Sequence, residues 1–304
     1  MRLKPYLALL PVLALGACSS GDYRLFHPVS LLAIQEWHAT IIDFVVMMCI
    51  ITPVALAMIV FGWRYHKSRN AKYAPDWSHN TALEFIVWGV PLLVVIGLSF
   101  YTVKTIYGVN PYNPALLHKQ VKTAPQSVLN VDVIATDWQW VFIYPEQHIA
   151  TIDELVVPQG AVVKMRMTAT SVSNDIYIPQ LLPMMTVMPG MRTKDTFDAP
   201  VTGNYMGFAA DFSGAGFSWM RFATHIVTPE AFTAWVQKVS ASPTQLSFDE
   251  LQKVAQPQVN YDAKVSYFSN VDPMIFDQEL QAVMGGKIYP VSAALTESIG
   301  TTGK

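Results

Sequence analysis

The chain has 304 residues, a formal net charge of −2 at pH 7, 52% hydrophobic residues and only 14% charged ones. A balance this near neutral gives no long-range pull towards nucleic acid or an acidic partner, and the length allows one sizeable folded domain beside any membrane segments. Its two cysteines, Cys18 and Cys49, fall in a leader-like segment and in a long apolar run, so they do not pair and report nothing further on redox compartment.

Residues 1–17 read as a secretory leader. Arg2 and Lys4 make a basic start, and residues 6–15 are apolar but too short to cross a bilayer. The stretch Leu15-Gly16-Ala17-Cys18 resembles the lipobox of bacterial lipoproteins. That resemblance implies that Cys18 is lipidated and becomes the new N-terminus; an uncleaved apolar anchor with an incidental cysteine is the alternative. Ser19-Ser20-Gly21-Asp22 follows as a polar linker, and residues 18–39 are expected to form an outer-face tether.

Two longer apolar runs come next. Residues 44–63 and 85–103 contain no charged side chain, and each is long enough to span a membrane as a helix. A transmembrane hairpin is therefore predicted over residues 40–104, with spans at about 41–63 and 83–103. Between the spans lie Arg64, His66, Lys67, Arg69 and Lys72 against the single acid Asp76. The positive-inside rule puts this connection in the cytoplasm and everything after residue 104 on the outer side. Trp37, Trp63, Trp88, Tyr101 and Tyr107 lie near the run ends, as interfacial aromatics do.

After a linker over residues 105–127, residues 128–228 read as a β domain. Val163, Met165 and Met167 alternate with Lys164 and Arg166, the period-two pattern of a half-buried strand. Turns are marked by Pro158-Gln159-Gly160, Pro189-Gly190 and Thr202-Gly203-Asn204, a spacing that suggests an antiparallel sandwich. Residues 229–285 then turn helical: Thr228 before Pro229 and Glu230 is a helix start, and Ser247-Phe248-Asp249-Glu250 is a capping box. The tail, residues 286–304, carries no readable signal.

The segment Tyr205-Met206-Gly207-Phe208-Ala209-Ala210-Asp211-Phe212-Ser213-Gly214-Ala215-Gly216-Phe217-Ser218-Trp219-Met220 resembles the metal loop of the respiratory oxidase subunit II family. In that family two Cys four apart, then His, then Met, hold a dinuclear copper centre. The corresponding positions here are Ala209, Ser213, Phe217 and Met220, and Asp211 stands where the family has a Glu that ligates through its carbonyl. The family's earlier His ligand falls on Asn174. Soft thiolates and imidazoles hold copper at such sites, so the loop reads as kept and the metal as lost.

That combination is similar to subunit II of the bo-type ubiquinol oxidases, and the resemblance runs from about residue 16 to residue 285, including Val265–Val271 and residues 273–284. It implies a two-helix transmembrane hairpin, then an all-β cupredoxin-like sandwich without copper, then a C-terminal helical extension. The implied role is an accessory subunit of a proton-translocating oxidase that oxidises ubiquinol and reduces oxygen to water. Haems and copper are expected in subunit I and none in this chain. Implied partners are subunit I, further small membrane subunits, membrane lipid, and ubiquinol through subunit I. The implied location is the bacterial inner membrane, with the C-terminal domain on the periplasmic side.

Within Asn80-Thr81-Ala82-Leu83-Glu84-Phe85-Ile86-Val87-Trp88, Asn80, Glu84 and Trp88 match the family's Asn-x-x-x-Glu-x-x-x-Trp pattern. The resemblance makes Glu84 a candidate for the entrance of a proton channel belonging to subunit I; a helix-start carboxylate stabilised by the dipole explains it equally. Asp43, at the outer end of the first span, reads as interfacial or as an ion-pair partner for subunit I. The aromatic tract Asp137-Trp138-Gln139-Trp140-Val141-Phe142-Ile143-Tyr144-Pro145 reads as core and subunit-interface packing, since no copper acceptor would lie behind it. The seven histidines are scattered, and there is no Cys-x-x-Cys or His-x-x-x-His. Two alternatives remain: a stand-alone membrane lipoprotein with a degenerate cupredoxin domain acting as a binding or assembly factor, and a cytochrome c oxidase subunit, which Ala209, Ser213 and Phe217 argue against.

Overall fold

In the computed structural model, residues 24–69, 80–123, 127–262 and 264–289 are described. The leader at 1–17, the lipidation candidate Cys18, and Lys72 and Asp76 of the basic connection lie outside the described residues.

Helix α1, Leu31–Arg64, and helix α2, Thr81–Val109, are the two predicted spans, and both are long and apolar enough to cross a membrane. At 1.5 Å per residue they measure roughly 51 Å and 43 Å, more than the ~30 Å hydrocarbon layer. Both helices run on beyond the expected spans. α1 begins at Leu31, so the last part of the expected 18–39 tether is helical. Ser30 caps it by accepting from the Ala33 N–H at 3.0 Å, and its hydroxyl donates to Leu181 O at 2.5 Å. Asp198 accepts the Leu31 N–H at 2.8 Å, and Leu32 and Ala33 are buried against the outer domain. At the other end, Arg69 folds back over the Trp63 ring at 3.5 Å. α2 starts on the Asn80 side chain, which accepts from the Leu83 N–H at 3.1 Å, and runs on to Val109. The expected 105–127 linker thus begins as helix and also holds helix α3, Pro114–Thr123, whose Gln120 amide donates to Thr196 O at 2.9 Å.

The outer domain is a sandwich of two sheets. Its strands are β1 (Ser127–Ala135), β2 (Trp140–Tyr144), β3 (Ile149–Ile152), β4 (Glu154–Pro158), β5 (Ala161–Ala169), β6 (Asn174–Ile178), β7 (Leu182–Val187), β8 (Thr193–Asp198), β9 (Gly203–Ala209) and β10 (Arg221–Val227). β11 (Ser266–Phe268) comes from the C-terminal extension and pairs with β3. One sheet has the order β11–β3–β2–β1–β5–β8 and the other β4–β10–β9–β6–β7. The expectation of an antiparallel sandwich is corrected by two parallel pairs, β1 with β5 and β4 with β10. They arise because the chain leaves the first sheet after β3 and enters the second at β4. Asp153 makes that corner with φ 61°; its Oδ1 accepts the Trp140 N–H and its Oδ2 accepts from Asn260, both at 2.8 Å.

Alternation then fills the interior. Val131, Val133, Trp140, Phe142, Tyr144, Met165 and Phe197 point between the sheets and are buried. The opposite face of the first sheet is apolar at Ile134, Val141, Ile143, Ala150 and Ile152, and the C-terminal extension covers that half. Its helices are α4 (Pro229–Ser240), α5 (Phe248–Val254) and α6 (Ile275–Met284). Thr228 and Ser247 cap α4 and α5 as the sequence suggests, accepting from Ala231 N–H at 3.3 Å and Glu250 N–H at 3.2 Å. The extension is helical as expected, apart from the short strand β11. The first residues of the tail are also anchored: the Tyr289 hydroxyl bonds Glu279 at 2.5 Å and Gln252 at 3.0 Å.

Candidate functional site

The loop between β9 and β10 is closed by backbone. Ala209 N–H donates to Met220 O at 3.0 Å, and Ala210 N–H donates to Asp175 O at 2.9 Å. The pairing of β6 with β9, Ile176 opposite Ala209, sets Asn174 and Ala209 on neighbouring strands. Asn174, Ala209 and Met220 are buried, whereas Ser213 and Phe217 are half-buried and Asp211 is exposed. Phe217 opens a short 3-10 turn, Phe217–Trp219, and meets Phe212 edge-on at 5.7 Å.

Trp138 braces this loop. Its indole N–H donates to Ser213 O at 3.1 Å, and a Cβ added at Gly216 would stand 2.3 Å from its ring. Gly214, at φ 114°, passes the same ring. Trp138 itself has φ 77°, an uncommon conformation for a side chain of that size, held by the tight turn from Thr136 to Gln139. The sequence placed Trp138 in an aromatic tract but gave no sign that it supports the loop.

The donor chemistry of the six matched positions is an amide at Asn174, a methyl at Ala209, a carboxylate at Asp211, a hydroxyl at Ser213, a phenyl ring at Phe217 and a thioether at Met220. No thiolate or imidazole is among them, and these side chains do not fit a dinuclear copper centre. Asn174 Oδ1, Asp175 Oδ1 and Ser213 Oγ are buried without a hydrogen-bond partner among the described residues. Beside the loop a groove of about 510 Å³ is lined by Tyr177, Met184, Met206, Phe208, Phe217 and Arg221. Among the described residues no group of three or more His, Cys, Asp and Glu is placed to hold a metal.

The rest of the aromatic tract lies in the core. Trp140 and Phe142 meet Phe222 at 5.7 and 4.9 Å, and Tyr144 meets Trp235 at 5.3 Å. Burial drives the Tyr144 phenol far above its ordinary value, and its hydroxyl both donates to Val156 O and accepts the Val156 N–H. Glu84 is elsewhere: it lies in the first turn of α2, beside Phe85, Trp88 and Leu92, with its N–H on Asn80 O at 2.9 Å. Twenty-five residues of α2, roughly 38 Å, separate it from the helix end that joins the outer domain. Glu84 and the loop are therefore two separate places.

No protein-family model matches the chain. It is 39% identical to the ubiquinol oxidase subunit 2 of Acetobacter aceti over 249 residues, covering 82% of this chain and 78% of that protein. It is 35% identical to the cytochrome bo(3) ubiquinol oxidase subunit 2 of Pseudomonas putida over 266 residues, covering 87% of this chain and 82% of that one. Among solved structures it matches the periplasmic domain of subunit II of cytochrome oxidase from Bradyrhizobium japonicum at 22% identity and a TM-score of 0.35, covering 38% of this chain and 95% of that one.

Proposed function

The chain belongs to the ubiquinol oxidase subunit 2 family, and on that premise we propose that it is the copper-free subunit II of a proton-translocating ubiquinol oxidase. In this reading the haems, the copper and the quinol site belong to subunit I, and electrons pass from quinol to oxygen without crossing this chain. The observation that carries it is the donor set at Asn174, Ala209, Ser213 and Phe217, which suits no copper relay. An electron donor already in the membrane removes the need for one.

What the chain supplies is architecture. α1 and α2 present apolar surface to subunit I and lipid, and the sandwich caps the outer face. Ser30, Leu181, Asp198 and the Leu31 N–H fix the start of α1 to the sandwich, so hairpin and cap move together. Glu84 belongs at the cytoplasmic end of α2, where a carboxylate beside subunit I serves as a proton entrance. Lipidation of Cys18 adds a second anchor on the outer leaflet.

The test is oxygen uptake by a complex purified through a tag on this chain. Uptake with reduced ubiquinol and none with reduced cytochrome c is the expected result. Uptake with cytochrome c would overturn the copper-free reading. No uptake and no copurifying haem would instead favour a stand-alone lipoprotein.

A further inference from the structure

The outer face of the first sheet is divided. Its apolar half lies under the C-terminal extension, while the other half is two polar rungs set side by side by strand register. Asn130, Lys164 and Thr196 pair across β1, β5 and β8 to form one rung, and Asp132, Arg166 and Lys194 form the next. These two rungs floor a pocket of about 650 Å³ walled by Pro111, Tyr112 and Asn113, a size suited to a small ligand.

Charge within it is unevenly satisfied. Arg166 holds Asp132 in a two-pronged pair at 2.6 and 2.5 Å, and Glu146 accepts from Asn130 at 2.6 Å. Asp195, also in the lining, is raised by burial to about 7 and so carries reduced negative charge at neutral pH. Lys164 and Lys194 have no ion-pair partner among the described residues. Thr196 lines the pocket, but its hydroxyl is turned away from solvent and buried. Two ammonium groups without an ion pair, against the one Glu146 carboxylate in the same lining, leave a positive excess on a partly apolar floor, a seat for an anion with a short organic portion.

Position identifies the source of that anion. Pro111, Tyr112 and Asn113 follow directly on the end of α2 at Val109. Because α2 is about 13 Å longer than the hydrocarbon layer, its exit turn lies among the lipid headgroups. Basic side chains at that depth attract anionic lipid. We propose that this pocket binds the glycerol phosphate headgroup of an anionic outer-leaflet phospholipid through Lys164 and Lys194. The proposal rests on α2 being a membrane span, as in the function proposed above.

The test is native mass spectrometry of the intact detergent-solubilised complex, delipidated and then titrated with dioleoyl-phosphatidylglycerol, dioleoyl-phosphatidylcholine or glycerol 3-phosphate. One phosphatidylglycerol site is expected to weaken on the order of 30-fold in Lys164→Gln/Lys194→Gln and about 5-fold in Lys194→Gln alone. Lys194 is exposed, so that single variant leaves the packing intact and decides the matter if the double variant fails to assemble. Lys238→Gln, on α4, is expected to bind as the unaltered complex does. Unchanged phosphatidylglycerol binding in Lys194→Gln would overturn the proposal, as would equal binding of phosphatidylcholine. Equal binding of glycerol 3-phosphate would overturn the lipid as source and leave a soluble phosphate ester. Haem content and oxygen uptake of the same preparation report separately on the quinol-oxidase reading.

Discussion

Trp140 and Phe142 in the sandwich are 0% exposed, whereas Trp88 and Phe85 in the hairpin are 79% and 76% exposed. The residue types are the same and their circumstances opposite. The sandwich satisfies its apolar side chains within the chain, from two sheets and a C-terminal cover. The hairpin satisfies almost none of its own, which is the pattern of a surface that something outside the chain covers. A change in the first region should therefore be felt as stability of this chain, and a change in the second as assembly.

The largest expected effect tests that division directly. Phe142→Ala empties a core position and should cost about 3–5 kcal/mol in thermal unfolding of the full chain, followed by tryptophan fluorescence. Trp88→Ala should leave that transition in place while reducing the subunit I recovered with the chain. Equal effects of both on unfolding would break the comparison.

Gly216→Ala comes next. The added methyl would collide with the Trp138 ring at 2.3 Å, and overpacking of this kind costs about 1–3 kcal/mol. The indole emission should shift as the ring is displaced. The pH dependence is of similar size. Burial raises Asp195 to about 7 and Asp153 to about 6, from an ordinary carboxyl value of 3.8. Between the unfolded and folded values the folded chain holds more protons than the unfolded one, so stability falls as pH rises from about 4 to about 7. Unfolding temperature should decline across that window. Asp195→Asn should flatten the decline and raise stability at pH 8 on the order of 2 kcal/mol, after discounting for relaxation around the buried charge.

Smaller still is the junction. Asp198→Ala removes the acceptor for the Leu31 N–H and should cost about 1 kcal/mol, as loss of a helix cap does. Its sharper readout is faster amide exchange at Leu31 and Leu32 with the core strands unchanged. Glu84→Gln should cost unfolding no more than about 0.3–1 kcal/mol, the contribution of a carboxylate in the first helical turn. It is expected to lower the protons moved per electron during quinol turnover, and full pumping would remove Glu84 from the proton path.

Much of this was legible in the sequence where one physical signal dominates. Charge-free runs gave the spans, and the alternation of Lys164 and Arg166 with Val163, Met165 and Met167 gave β5. The start of α1 was not legible, because Gln35, Glu36 and His38 interrupt the apolar run on the part of the helix that docks to the sandwich. Parallel pairing was not legible either: alternation says which residues face inward and nothing about which strand lies alongside. The rungs at Asn130, Lys164 and Thr196 are far apart in the chain and meet only through register. The candidate loop was found through its resemblance, and its Trp138 brace became visible only in three dimensions.

Copper content separates a vacant loop from a loaded one. The full chain, purified to homogeneity from membranes of copper-supplemented cells, should carry no stoichiometric copper. A form with Asn174→His, Ala209→Cys, Ser213→Cys and Phe217→His restores the missing donors and serves as the positive comparison. Two copper atoms per unaltered chain would contradict the account.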